Sequence, residues 1–132
     1  MKMDFNEALR DILAAHQEYH QDAYRYLYYA ANPAAYAEQN TGTPSGNQHK
    51  NLNAREFYIT FCEILLREYG PMARTIVRYW GLHTTLDIGR ATYYLITAGV
   101  LSKKKHESLE DFEHLPSLDA TLLAPYEPTS LS

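Results

Sequence analysis

Apolar positions recur at helical intervals almost from the start of the chain. Phe5, Leu9, Ile12, Leu13 and His16 form one stripe of a helix opening at Asp4, whose carboxylate can accept from the early free amides while Glu7 reaches back. A second helix starts near Asp22 and runs through Tyr24-Arg25-Tyr26-Leu27-Tyr28-Tyr29 to Ala31. Asn32-Pro33 ends it, because the residue before a proline is pushed out of the helical region. Residues 39–51 are polar, contain Gly and Pro, and lose all periodicity, which predicts one long loop.

The pattern changes at Asn53-Ala-Arg-Glu56, a second capping box. Beyond it the polar positions Glu56, Thr60, Glu63 and Arg67 make a narrow stripe, while Phe57, Tyr58, Ile59, Phe61, Cys62, Ile64, Leu65 and Leu66 cover the rest of the circumference. A helix apolar over most of its surface is surrounded by other elements, so this segment is expected at the centre of the fold. Gly70-Pro71 ends it and begins the next helix, with Met72, Ala73, Ile76, Val77 and Trp80 inward and Arg74 with Arg78 outward. Gly81 supplies a left-handed cap. Thr84 or Thr85 then caps a helix with Ile88, Ala91, Leu95 and Ala98 inside, closed by Gly99. Val100-Leu101 reads as a brief strand or a packed exit, and Ser108 to Phe112 as one more capped turn.

The fold expected from these signals is mainly α: a compact five-helix single domain. It contains a helix-turn-helix-like hairpin over Pro71–Gly99 that packs on the central helix, with a short β wing as one reading of its exit. Residues 1–115 make the helical domain. Residues 116–132, acidic and carrying Pro116, Pro125 and Pro128, are expected as an extended tail.

Composition narrows the classes. The chain has 132 residues with 45% hydrophobic and 21% charged positions, an ordinary globular balance for one domain. The net charge of −4 argues against a uniformly basic nucleic-acid coat. The charge is nevertheless segregated. Residues 53–105 carry eight basic and four acidic groups, whereas residues 106–132 carry six acidic groups and no Lys or Arg. An acidic tail behind a basic segment can fold back on it or repel polyanions from it. No apolar run has the length of a membrane span, so no membrane partner is expected. The N-terminal Met1-Lys2-Met3-Asp4 lacks a signal peptide's apolar core, and the single Cys62 excludes an internal disulfide framework. The cytoplasm is therefore the expected compartment.

From Tyr69-Gly70-Pro71-Met72-Ala73 through Trp80-Gly81-Leu82, Thr85-Leu86-Asp87-Ile88-Gly89 and Gly99-Val100-Leu101-Ser102-Lys103 to Glu107-Ser108 and Asp111-Phe112, several motifs follow in order. In them the chain resembles a small conserved-hypothetical family of unknown function from planctomycete and verrucomicrobial bacteria. The resemblance covers roughly residues 4–112 and implies a domain without naming an activity or a cofactor. The family pattern has a histidine five residues before the glutamate at Glu56, where this chain has Asn51.

Three constellations carry candidate chemistry. Six of the twelve tyrosines lie within Tyr19–Tyr36, with Tyr24 and Tyr28 on one helical face and Tyr26 and Tyr29 on another. One face packs inside; the other either rests on the surface or forms a partner surface, a homodimer being the commonest form. The Pro71–Lys105 segment has the outline of a helix-turn-helix, in which Arg90, Tyr93, Tyr94 and Thr97 would face a major groove and Lys103, Lys104 and Lys105 would meet phosphates. Against this, short helical hairpins are commonplace, and the outward positions lack the Arg/Asn/Gln density of base readers. His16 and His20 stand four apart and could share a metal, but no third ligand is apparent and His16 continues an apolar stripe.

Cys62 has apolar neighbours and no adjacent base, so it reads as a core residue. No nucleophile elbow, phosphate loop or carboxylate pair appears. The sequence thus points to a non-catalytic protein-interaction or regulatory module with no cofactor. The alternative is a helix-turn-helix nucleic-acid binder.

Overall fold

The computed structural model describes residues 5–32, 53–101 and 110–126. The expected cap at Asp4, the loop at 39–51, the lysines Lys103, Lys104 and Lys105, and the end of the tail from 127 lie outside the described residues. Among those described, every regular element is helical. The order is α1 (Phe5–Ala15), α2 (Gln21–Ala31), α3 (Ala54–Tyr69), α4 (Ala73–Tyr79), α5 (Thr85–Thr97), α6 (Glu110–Glu113) and α7 (Leu118–Leu123), with single 3-10 turns at Gly70–Met72 and Ala124–Tyr126.

The capping signals translate directly into structure. The Asn53 side chain accepts from the Glu56 amide at 2.8 Å, and the Glu56 carboxylate takes the Asn53 amide at 3.2 Å. Thr84 and Asp87 repeat the arrangement at the start of α5. At the other ends, Gly81 (φ +91°) and Gly99 (φ +84°) adopt left-handed backbone. The amides of Leu82 and Val100 reach back to the carbonyls of Val77 and Leu95, the Schellman closure that glycine permits.

The central position of α3 is as expected. Phe57, Tyr58, Phe61, Cys62, Ile64 and Leu65 are buried in one core with Tyr24, Leu27, Val77, Trp80, Leu82, Ile88 and Leu95. α2 lies along α3, α4 packs on its far end, and α5 crosses α1 and α2.

Three expectations are corrected. Met72 was assigned inward but is 54% exposed. The Gly70–Met72 segment winds as a 3-10 turn, whose three residues per turn shift the phase that an α-helix starting at Pro71 would have kept. Ile59 falls beside the polar stripe of α3 and is 39% exposed. In the hairpin, α4 packs on α3 and α7 while α5 packs on α1, α2 and α6, and both helices contribute to the core that surrounds α3. The exit at Val100–Leu101 forms bends within the Schellman closure, not a β wing.

The tail is not extended between Ser117 and Tyr126. Ser117 caps α7 by accepting from the Ala120 amide, and Leu118 and Leu122 enter the same core as the preceding helices. Their spacing of four puts both on one face, which outweighs the flanking prolines because Pro116 and Pro125 sit outside α7.

Candidate functional site

The turn joining α1 to α2, residues 16–20, is the structural meeting point of the chain. Gly81 makes the approach feasible: a Cβ there would lie 2.5 Å from the Glu18 carbonyl oxygen. The His20 amide donates to the Trp80 carbonyl at 3.0 Å, fixing the turn against the end of α4. On its other side the turn is held to α5 by side chains. Tyr19 donates its hydroxyl to Asp87 at 2.8 Å, and Tyr94 donates to Glu18 at 2.7 Å. Arg90 reaches both the Tyr19 hydroxyl, at 3.3 Å, and Asp87, at 3.4 Å.

Asp87 is the hub. It also accepts from the His83 and Thr84 amides, so one carboxylate closes the capping box and ties down the turn. Burial pushes its carboxyl upward, but the hydrogen bonds from Tyr19, His83 and Thr84 and the charge of Arg90 outweigh that, holding it below the ordinary carboxylate value. Burial and the bond to Asp87 push the Tyr19 phenol above its ordinary value. Both groups therefore rest in one protonation state at neutral pH, as a fixed clamp requires.

The two histidines do not share a helix, because α1 ends at Ala15 and α2 begins at Gln21. His16 stacks on Tyr94 at 3.7 Å, and His20 caps α2 by accepting from the Asp22 amide at 3.0 Å. The helical spacing that suggested a shared metal is therefore not realised. Among the described residues no group of three His, Cys, Asp or Glu side chains comes together as a metal site.

The tyrosine-rich helix faces inward more than expected. Tyr24 is fully buried and cannot meet a partner as it stands. Tyr26 is half-buried and stacks on Trp80 at 5.4 Å, with Tyr69 edge-on to both. Tyr28 is half-buried against Phe5, and Tyr29 is half-buried edge-on to Tyr26. Cys62 is buried, and desolvation pushes its thiol up to about 12, so it remains a core thiol.

The exposed rings lie elsewhere. Tyr79, at the end of α4 and beside His20, is 74% exposed, and Tyr93 on α5 is 54% exposed. Arg90, Tyr93 and Thr97 face outward on α5, but Tyr94, which the helix-turn-helix reading also needed outward, is half-buried, stacked on His16 and bonded to Glu18. Sequence reasoning passed over Tyr79, although its phase was legible: two residues beyond the buried Val77, it must point away from the core. Arg74 and Arg78 are not free outer-face charges, since both pair with Asp119 on α7.

No protein-family model, characterised protein or solved structure matches the chain. Among the described residues no helix is long and apolar enough to cross a membrane.

Proposed function

We propose that this protein is a non-catalytic interaction module of the cytoplasm. It meets a protein partner, or a second copy of itself, through the face where the α1–α2 turn crosses α4 and α5. The single observation that carries this reading is the exposure of Tyr79 and Tyr93 in a chain whose Tyr24, Tyr58 and Trp80 are buried. Tyrosine gives a large contact area for few rotatable bonds, and interface centres are enriched in it. The Asp87–Tyr19–Arg90 circuit holds the turn whose His20 packs against Tyr79, and a surface fixed in this way lowers the entropy cost of docking. Tyr26, Tyr28 and Tyr29 then serve the module from behind by holding α2 in place.

The charge arrangement favours a protein over a polyanion. Arg74 and Arg78 share the one carboxylate of Asp119, and Arg90 faces Asp87, so two of these three positive charges are already offset. Cross-linking in a native lysate, followed by mass spectrometry, tests the reading. Wild-type protein should yield adducts that survive nuclease, and a Tyr79→Ser/Tyr93→Ser variant with unchanged helicity should lose them. Adducts that vanish with nuclease, together with binding to duplex DNA that weakens steeply with salt, would replace this reading with the nucleic-acid one.

A further inference from the structure

The way α7 is held specifies what its seat accepts. A six-residue helix has no stability of its own in water, so its shape is imposed by what it lies on. It lies across α3 and α4. Leu118 and Leu122, one turn apart, are 2% and 1% exposed. Asp119, between them in sequence, meets Arg74 as a fork, with Nε 2.8 Å from one carboxylate oxygen and Nη2 3.3 Å from the other. The Arg78 Nη2 lies 3.3 Å from that second oxygen. On the far side the Tyr58 hydroxyl is 2.7 Å from the Pro116 carbonyl and 3.1 Å from the Thr121 hydroxyl. Tyr58, Arg74 and Arg78 belong to α3 and α4, so the body of the domain supplies all three polar fixtures.

This is the helix-in-groove mode of recognition, satisfied within one chain. The groove tests for two leucines four residues apart, a carboxylate beside the first, and a polar edge for the phenol. We propose that this face of α3 and α4 is a docking groove for a short acidic amphipathic helix of a partner protein, bearing the pattern Leu-Asp-x-x-Leu, and that residues 116–123 occupy it in cis as a competitor. The assignment concerns a different face from the Tyr79 surface and does not depend on it. Because the occupant is tethered, its effective concentration is on the order of millimolar, and a partner helix must exceed that to displace it.

The test uses the full chain and a fluorescein-labelled synthetic peptide with the sequence of residues 114–126, followed by anisotropy. A Leu118→Ser/Leu122→Ser variant empties the groove and should bind the peptide at least about tenfold more tightly than wild type, whose own segment competes. Adding Arg74→Glu/Arg78→Glu should weaken that binding by about tenfold or more, as should a peptide carrying the Asp119→Lys change. If the leucine variant loses its helical circular dichroism, Asp119→Lys in the full chain loosens the segment instead and the same wild-type peptide is applied. A folded, opened variant that ignores the peptide, or binding indifferent to both charge reversals, would overturn the proposal. A stoichiometric complex of opened variant with wild-type chain, without peptide binding, would make the occupant a second copy and overturn the partner assignment.

Discussion

Along the contact between α2 and α3, tyrosine serves as a ring; where the α1–α2 turn meets α5, it serves as a hydroxyl. In the first region Tyr26 lies on Trp80, Tyr69 abuts both, and Tyr24 is buried with no partner for its hydroxyl among the described residues. The hydroxyl contacts that Tyr26 does make, to Glu68 at 3.3 Å and Tyr69 at 3.4 Å, are long. In the second region the bonds from Tyr19 to Asp87 and from Tyr94 to Glu18 are short and join residues about seventy positions apart. The difference teaches that a tyrosine count does not announce a binding surface. The same side chain fills the core in one place and fastens a turn in another, and among the described residues the only exposed tyrosines are Tyr79, Tyr93 and Tyr126.

Substitutions that separate ring from hydroxyl sharpen this contrast. The largest effect is expected from Trp80→Ala, which removes the plate against which Tyr26 and Tyr69 rest. It should lower the free energy of unfolding in urea by about 4 kcal/mol. A loss below about 1 kcal/mol would mean that the aromatic seam contributes little to the fold.

Next in size is Tyr19→Phe, which keeps the ring but takes one partner each from Asp87 and Arg90. A cost of about 2 kcal/mol is expected, because a largely enclosed charged acceptor is left short of a hydrogen bond. The pH dependence gives a second reading of the same clamp. The Asp87 carboxyl, held below its ordinary value of 3.8, stabilises the fold fully above that pH, and the contribution fades as pH falls beneath it. Asp87→Asn should therefore flatten the acid limb of a stability-versus-pH curve. An unchanged limb would locate acid sensitivity elsewhere.

The smallest expected effect is the most discriminating. Tyr24→Phe removes a buried hydroxyl that has no partner, so stability should change by less than about 0.5 kcal/mol or rise slightly. If Tyr24→Phe cost as much as Tyr19→Phe, the distinction between the two regions would collapse.

Much of the architecture was legible because its signals are local. Asn53 with Glu56, Thr84, Gly81 and Gly99 each act on backbone within four residues, so caps and helix ends were recoverable from the sequence. The burial of α3 followed from its narrow polar stripe. The clamp was not legible, since Tyr19 and Asp87 lie 68 residues apart and nothing local pairs them. Met72 was misread because a 3-10 turn resets the helical phase. α7 was missed although Ser117, Leu118 and Leu122 carried a cap and an i,i+4 face; the flanking prolines drew the reading toward an extended tail. As for the candidate surface, the outward placing of Arg90, Tyr93 and Thr97 followed from the period of α5. Tyr79 stands alone in sequence and carries no cluster signal, whereas the dense run Tyr24–Tyr29 is largely covered by packing against Trp80 and Phe5.

The division of tyrosines between scaffold and surface is tested most directly by ultraviolet titration of the phenols alongside circular dichroism. Burial pushes Tyr19, Tyr24, Tyr26 and Tyr58 above the ordinary value of 10.0. Their neutral forms therefore favour the fold, and that contribution is lost only as alkali carries the pH past 10.0. The account predicts that Tyr19, Tyr24, Tyr26 and Tyr58 ionise only in a late step, well above 10.0, as the helices melt. Ionisation of those four phenols near 10.0, with the helical signal unchanged throughout, would contradict it.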